Sequence, residues 1–345
     1  MTDGSADADL AAIVEKPQTQ TVIEALRNEG RYDPSRRIEA HGDDHVAVPV
    51  SAPPTDTAVE RVEHVELPPR SRDLADLLAA HGVDAATIEA APSSWAVIGS
   101  IILVDFGDVS APETLDADER TLVAETLLEL HANADTVLAR GGVSGRCRDP
   151  DVAVVAGIGD TETVHVEHGT KYAIDFESTM FSPGNKAERA RMGEVVTPGE
   201  RVFDMFAGIG YFTLPMARSG ATVTAAEIDP DAYRLLVENL QLNGVSDAVR
   251  PVLGDCRDVA TTADRVVMGY YDAHEYLDAA LSALAPDGVV HLHEATPEPA
   301  FPARPRDRLT EAAGAAGRTV EILATRTVKS HSAGVVHGVV DARVH

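Results

Sequence analysis

The densest chemistry in this 345-residue chain lies in a glycine turn followed by two acids at regular intervals. Asp204-Met205-Phe206-Ala207-Gly208-Ile209-Gly210 ends an apolar run and leads into Tyr211, Phe212 and Thr213. Glycines where a strand meets a helix let backbone N–H groups approach a ligand with no Cβ in the way. The third glycine of the dinucleotide fingerprint is missing, so a pyrophosphate ligand loses support. Glu227 closes the next apolar run, TVTAAEI, 17 residues past Gly210, where an acid can accept both hydroxyls of a ribose. Asp255 closes VRPVLGD and can accept from an adenine amino group, with the Cys256 backbone as an adjacent donor. Three such features in this order predict an adenosyl ligand rather than NAD. Asp229, followed by Pro230, has the plainer role of capping a helix.

These residues need a scaffold that delivers strand ends to one place. From Arg201 the runs RVFDMFA, TVTAAEI, VRPVLGD, DRVVMGY and GVVHLHE alternate with helical segments at about 231–242 and 274–284, the signature of a doubly wound, mostly parallel sheet. A helix near 307–316 then leads into TVEILATRTV and VVHGVVDARV, expected as an antiparallel hairpin at one sheet edge. Upstream, LAAIVEK, TQTVIEALRNEG and HVAVPV predict a small α/β unit. SAPPTDTAVERVEHVELPPRSR, with its Pro pairs and charges, is expected to be a linker. Helices near 73–81, 85–90 and 119–131, a single strand WAVIGSIILVDF, a loop GGVSGRCRDPD and the strands ETVHVEHG and TKYAIDF fill the middle. The expected domains are 1–60, 61–170 and 171–345.

Composition narrows the setting. With 44% hydrophobic residues the chain can build a sizeable core. No apolar run is long enough for a membrane span, and the acidic start MTDGSADADL lacks a secretory pattern, so a cytoplasmic protein is expected. Cys147 and Cys256 stand far apart and form neither a disulfide framework nor a zinc motif. Against 56 acidic residues stand only 29 basic ones, a net charge of −27 that fits adaptation to concentrated salt. Such a charge opposes nucleic acid at low salt. In strong salt local patches decide, and residues 301–345 carry seven basic residues against four acidic ones.

Period-2 alternation puts His291 and His293 on one strand face with Glu294 beside them. Two imidazoles without an evident third ligand do not make a metal site, and none is expected. These residues are expected to shape a nucleobase pocket or to satisfy local hydrogen bonds. Tyr211, Phe212, Tyr270 and Tyr271 are candidates for stacking on an unpaired base or for the core, and Trp95 for the core.

The segments MFSPGNKAERARM (Met180 to Met192), FDMFAGIGYFTLPMA (Phe203 to Ala217), DRVVMGY (Asp264 to Tyr270) and HLHEATPE (His291 to Glu298) together resemble the archaeal tRNA position-37 modification family. Its branches are the guanosine-37 N1-methyltransferases and the aminocarboxypropyltransferases of the wybutosine pathway. The resemblance implies a Rossmann-like class I domain that uses S-adenosylmethionine as co-substrate, preceded by small α+β domains. It implicates Ser182, Arg189, Gly208, Glu227, Asp255 and Cys256 in cofactor binding and leaves the catalytic base unassigned. Arg189 can pair bidentately with a methionine carboxylate, whereas Glu188 and Arg191 are expected on a solvated helix face. The methyltransferase branch usually carries an Arg after Ser-Pro and an Asn-Leu-Pro run after the fourth strand, where this chain has Gly184 and Gly269-Tyr270. The expectation is therefore transfer of an aminocarboxypropyl group to a tricyclic guanosine derivative at position 37 of tRNA-Phe. The N-terminal unit, common in the methyltransferases, keeps N1-methylation as the alternative. A non-catalytic RNA-binding relative is disfavoured by the intact turn and acids, and a small-molecule methyltransferase by the N-terminal domains and basic C-terminal segment.

Overall fold

Consecutive apolar residues in β1 (Asp9–Glu15) bury Ala11 and Ile13 in one apolar cluster and Ala12 and Val14 in another. A computed structural model of the chain describes residues 9–68, 70, 73–107, 115–144 and 149–345. The chain divides into two compact units, Met1–Leu77 and Leu78–His345. In the first, β1 is followed by α1 (Thr19–Asn28), β2 (Glu39–His41), β3 (His45–Pro49) and β4 (Arg61–Val65), which form one sheet in the order β2-β3-β1-β4. Helix α1 seats Val22, Ile23 and Leu26 on that sheet.

Strand β4 corrects the expected linker. Its Arg-Val-Glu-His-Val alternation pairs antiparallel with β1, from Asp9 opposite Val65 to Ile13 opposite Arg61, and Leu67 joins Ala11, Ile13 and Ala47 in the core. The Pro pairs flank a strand rather than replace it.

Helix α2 (Leu74–Ala80) spans the division between the units. The second unit continues with α3 (Ala85–Ala90), β5 (Trp95–Ile98), β6 (Ile101–Val104), α4 (Ala117–Leu130), β7 (Thr136–Ser144) and β8 (Asp149–Gly157). Two expectations change here. The apolar run at 95–106 is a hairpin, because Gly99 adopts φ 59° and Ile98 pairs with Ile101 across a two-residue turn. A Cβ on Gly99 would lie 2.1 Å from Thr163 Oγ1, so the turn presses on the following strand pair. Most of the expected loop at 141–151 is strand, with residues 145–148, including Cys147, outside the described residues. Trp95 is only half-buried and donates Nε1–H to His131, so it is not a core residue.

Next come the hairpin β9 (Glu162–Glu167) and β10 (Thr170–Asp175), then α5 (Lys186–Val195), β11 (Arg201–Asp204), α6 (Thr213–Arg218), β12 (Thr222–Glu227), α7 (Pro230–Leu242), β13 (Val249–Leu253) and β14 (Ala263–Met268). The chain closes with α8 (Leu277–Ala283), β15 (Leu284–Pro297), α9 (Ala303–Ala315), β16 (Val320–Ser332) and β17 (Val335–Val344). A seven-stranded sheet runs β13-β12-β11-β14-β15-β17-β16, parallel through β15 and antiparallel at β17 and β16. This is the expected mostly parallel Rossmann-like sheet with an antiparallel edge hairpin.

Helices α5, α6 and α7 cover one face and α8 and α9 the other. On α7, Ala232, Leu235, Leu236 and Leu240 make the apolar stripe, each leucine contributing roughly 1.5–3 kcal/mol by burial. Asp229 caps that helix by accepting from Asp231 N at 2.9 Å, with Pro230 at its first turn as expected. Ile98, Ile101, Leu103 and Leu138 of the β5–β7 sheet share one continuous core with Tyr172, Phe176 and Leu214.

Candidate active site

The parallel strands β11, β12, β13 and β14 end side by side, and the turns beyond them enclose a cavity of about 170 Å³ at the carboxyl edge of the sheet, where open α/β folds hold ligands. Ser182, Arg189, Gly208, Glu227, Asp255 and Cys256 all line it. So do Phe206, Tyr211, Phe212, Tyr270 and Tyr271.

Gly208 and Gly210 hold φ of 56° and 101°, which L side chains rarely adopt, and a Cβ on Gly208 would meet the Tyr211 ring at 2.6 Å. The tightness of this turn brings Gly208 N–H to Glu227 Oε2 at 2.6 Å, while Ile228 N–H and Asp229 N–H donate to Oε1 at 2.8 Å each. Burial nevertheless pushes the Glu227 carboxyl above its usual range, the three amides pulling the other way. Beneath it Asp204, wholly buried, accepts from Thr213 Oγ1 at 2.7 Å, and desolvation pushes it up to about 6. Three backbone amides thus fix a carboxylate at the place expected for a ribose, so the residues fit an adenosyl ligand.

Asp255 caps a short 3-10 turn and faces the cavity, with Arg257 donating to both its carboxylate oxygens at 2.9 and 2.6 Å. The Arg257 guanidinium lies 5.0 Å from the Tyr276 ring centroid, and Phe206 stacks on Tyr270 at 5.3 Å. The cavity therefore has an acid-lined end and an aromatic wall.

Arg189 departs from expectation. Its Nε and Nη2 fork is closed on Glu167 at 2.7 and 2.9 Å, Nη1 donates to the Ser182 carbonyl at 2.9 Å, and the guanidinium sits 4.6 Å from the Phe181 ring centroid. Burial raises the Glu167 carboxyl, but hydrogen bonds from His165 and Arg189 outweigh it and hold the group at about 2. The fork expected to take a methionine carboxylate is engaged by an internal partner, and the arginine holds the loop that carries Ser182. On that loop Ser182 Oγ accepts from Lys329 Nζ at 2.5 Å.

Glu188 and Arg191 are not a solvated face. Glu188 is buried and grips Arg326 with both oxygens, and Arg191 pairs with Asp341. Asp341 also accepts from Arg326 at 2.6 Å and from His291 Nδ1 at 2.6 Å. Since Arg265 donates to His291 Nε2, that imidazole carries its proton on Nδ1. His291 is thus spent on local hydrogen bonds, whereas His293 lines the cavity with His337.

Reasoning from sequence alone misses Glu167, Asn239 and His337. Asn239, wholly buried, bonds to Ala173 N at 2.6 Å, Ala173 O at 3.0 Å and Ile209 O at 3.0 Å, tying the glycine turn to β10. A lone amide on the apolar stripe of α7 was the available signal; Glu167 and His337 gave none.

The TRM5/TYW2 methyltransferase domain matches residues 163–323, and the TYW2 N-terminal domain matches residues 74–161. The chain is 39% identical, over 73% of its length and 90% of the relative's, to a protein of Pyrococcus horikoshii named tRNA(Phe) (4-demethylwyosine(37)-C(7)) aminocarboxypropyltransferase. Among solved structures, P. horikoshii TYW2 in complex with MeSAdo is similar at 36% identity and TM-score 0.68, covering 79% of this chain and 97% of that one. Trm5b from Pyrococcus abyssi is similar at 28% identity and TM-score 0.71, covering 97% of this chain and 99% of that one. The chain belongs to the TRM5/TYW2 family.

Proposed function

We propose that this protein transfers the 3-amino-3-carboxypropyl group of S-adenosylmethionine to carbon 7 of 4-demethylwyosine at position 37 of tRNA-Phe. The observation that carries the reading is a cavity in which a glycine turn and Glu227 meet a wall of aromatic rings, on a chain 39% identical to an aminocarboxypropyltransferase. Glu227 and the Gly208 turn would hold the ribose, Asp255 and Cys256 the adenine, and the Ser182 loop, braced by Arg189, the methionine end. The bound co-substrate supplies a sulfonium with three electrophilic carbons, and orientation selects which is delivered. Tyr270 and Tyr271 would stack on the unpaired base.

Gly184 and Gly269 stand where the methyltransferase branch carries larger groups. A Cβ on Gly269 would lie 2.7 Å from the Phe212 ring, and one on Gly184 3.2 Å from Lys329 Cδ. The space these glycines leave is filled by an aromatic wall and by the lysine that reaches Ser182, which supports a pocket built for a different base. N1-methylation of guanosine-37 is the second reading, favoured by the similarity to Trm5b along 97% of this chain.

The proposal extends to three domains, with residues 1–60 belonging to an RNA-docking module, and to a cytoplasmic protein of a salt-adapted archaeon, in line with the charge of −27. Among the described residues no helix is long and apolar enough to cross a membrane. The basic C-terminal segment contributes less to RNA attraction than its charge count implies. Arg304 and Arg308 pair with Glu294, Arg326 with Glu188 and Asp341, and Arg318 donates to four carbonyls.

The test uses, in parallel, tRNA-Phe bearing 4-demethylwyosine and tRNA-Phe bearing unmodified guanosine at position 37, with co-substrate labelled separately on the methyl and carboxypropyl carbons. Carboxypropyl label in RNA with methylthioadenosine released is expected. Methyl label in RNA with S-adenosylhomocysteine released would replace the reading by N1-methylation, and no transfer would remove both.

A further inference from the structure

Beside the aromatic rings of the cavity lies a pair of buried imidazoles. His293 of β15 and His337 of β17 lie on adjacent antiparallel strands, 1% and 3% exposed, and both line the cavity. Their rings are 5.2 Å apart, with His293 Nδ1 and His337 Nε2 sharing one hydrogen bond at 3.0 Å. The two outer nitrogens, His293 Nε2 and His337 Nδ1, are buried and have no partner among the described residues.

Proton counting gives this arrangement its meaning. A neutral imidazole carries one N–H and one bare nitrogen. Whichever ring donates the shared bond, one outer nitrogen is a donor without an acceptor and the other an acceptor without a donor. Buried polar groups are rarely left so, because each unmet group costs about 1–3 kcal/mol. The two resting states interconvert by moving one proton onto one end, one across the shared bond and one off the other end. The surroundings give that movement a direction. His293 rests against Phe212 at 5.2 Å, next to the glycine turn, while His337 meets Tyr271 at 4.9 Å, whose ring also touches the exposed His331 at 4.5 Å.

We infer that His293 and His337 form a proton relay that carries away the proton lost by the nucleobase carbon during aminocarboxypropyl transfer. The inference rests on the reaction proposed above. Carbon 7 forms a bond to the γ-carbon of the methionine tail, the bond from that carbon to sulfur breaks, and its electron pair stays on sulfur as methylthioadenosine leaves. The proton on carbon 7 passes to His293 Nε2, the Nδ1 proton of His293 passes to His337 Nε2, and the Nδ1 proton of His337 leaves to solvent water on the side of Tyr271 and the exposed His331. No charge is left on the pair.

A relay suits this site better than a store. Burial, with the positive charges of Arg326 of β16 and Arg191 of α5 adding to it and Asp341 opposing them, pushes His293 down to about 3. Burial, with His293, Lys329 and His331 against Glu188, pushes His337 down to about 2. Neither ring holds an extra proton near neutral pH, so what enters at one end must leave at the other.

The test is single-turnover formation of methylthioadenosine at saturating tRNA and co-substrate, by the full-length protein and by His293→Gln, His337→Gln and the double variant. Glutamine keeps a donor and an acceptor but cannot exchange them. Each single variant is expected to lose about 100-fold in rate, with the double variant no worse, since the two act as one unit. Calorimetric affinity for S-adenosylmethionine is expected to stay within about twofold, which also shows that the variants fold. In the unaltered protein, rates in mixed light and heavy water should fall along a curve that needs more than one proton in flight. Rates within about threefold of the parent, a loss confined to KM for tRNA, or a straight-line dependence on heavy water would overturn the relay. If the parent itself releases S-adenosylhomocysteine, the underlying reading fails instead, whatever the histidine variants do.

Discussion

Arg189 and Glu167 show how a residue near a ligand can matter through its neighbour. Both side chains are 3% exposed and meet in a bidentate pair, so removing the arginine strands a buried carboxylate. Arg189→Ala should cost about 3–5 kcal/mol of stability and loosen the Ser182 loop, weakening cofactor affinity as the melting temperature falls. Calorimetry of unfolding and of binding on the same samples checks this. Lost affinity at an unchanged melting temperature would make Arg189 a direct ligand instead. The pair also fixes an acid limb. The folded-state pKa of Glu167 is depressed to about 2, so its stabilising contribution is complete above the unfolded value near 4.5 and is lost as pH falls from there towards 2. Glu167→Gln should be less stable at pH 7 and flatter across that window. Gly208 and Glu227 could be found from sequence because a backbone conformation and a strand-end charge restrict which residues serve. Glu167 and His337 could not, because their partners lie 22 and 44 residues away and are chosen by strand register and loop packing.

At the scale of elements, the carboxyl edge of β12 and the start of α7 work as one piece. Asp229 closes the first turn of α7, while its own amide holds Glu227. Asp229→Ala should cost about 1 kcal/mol in denaturant unfolding, and Asp229→Asn only a few tenths. Equal stability of all three proteins would show that the cap contributes nothing. The elements hardest to recognise from sequence were those whose local signals conflict. The run from Trp95 to Phe106 has the apolarity of one buried strand, and only Gly99, forced against Thr163, folds it in two. Strand β4 hides between Pro pairs, and its pairing with β1 is a tertiary choice.

For the whole molecule, the lining residues of the cavity all fall between Thr179 and His337, inside the second compact unit. A variant lacking residues 1–72 should therefore bind S-adenosylmethionine within about twofold of the parent while its KM for tRNA rises. Binding calorimetry and steady-state kinetics measure the two effects, and loss of cofactor affinity would show that the first unit supports the site.

The order of strands in the large sheet also bears on how the protein is made. Strand β17 lies between β15 and β16 but follows both in the chain, so β15 keeps a bare edge until the hairpin closes on it. A nascent chain would already carry Gly208, Glu227 and Asp255, and with them the nucleoside end of the cavity, while lacking His337 and the Asp341 hub. Such an intermediate presents an unpaired strand edge, the feature that chaperones shield and that seeds aggregation. Free S-adenosylmethionine present during synthesis would meet a receptive but unreactive partner, and could act as a folding aid before it acts as a substrate.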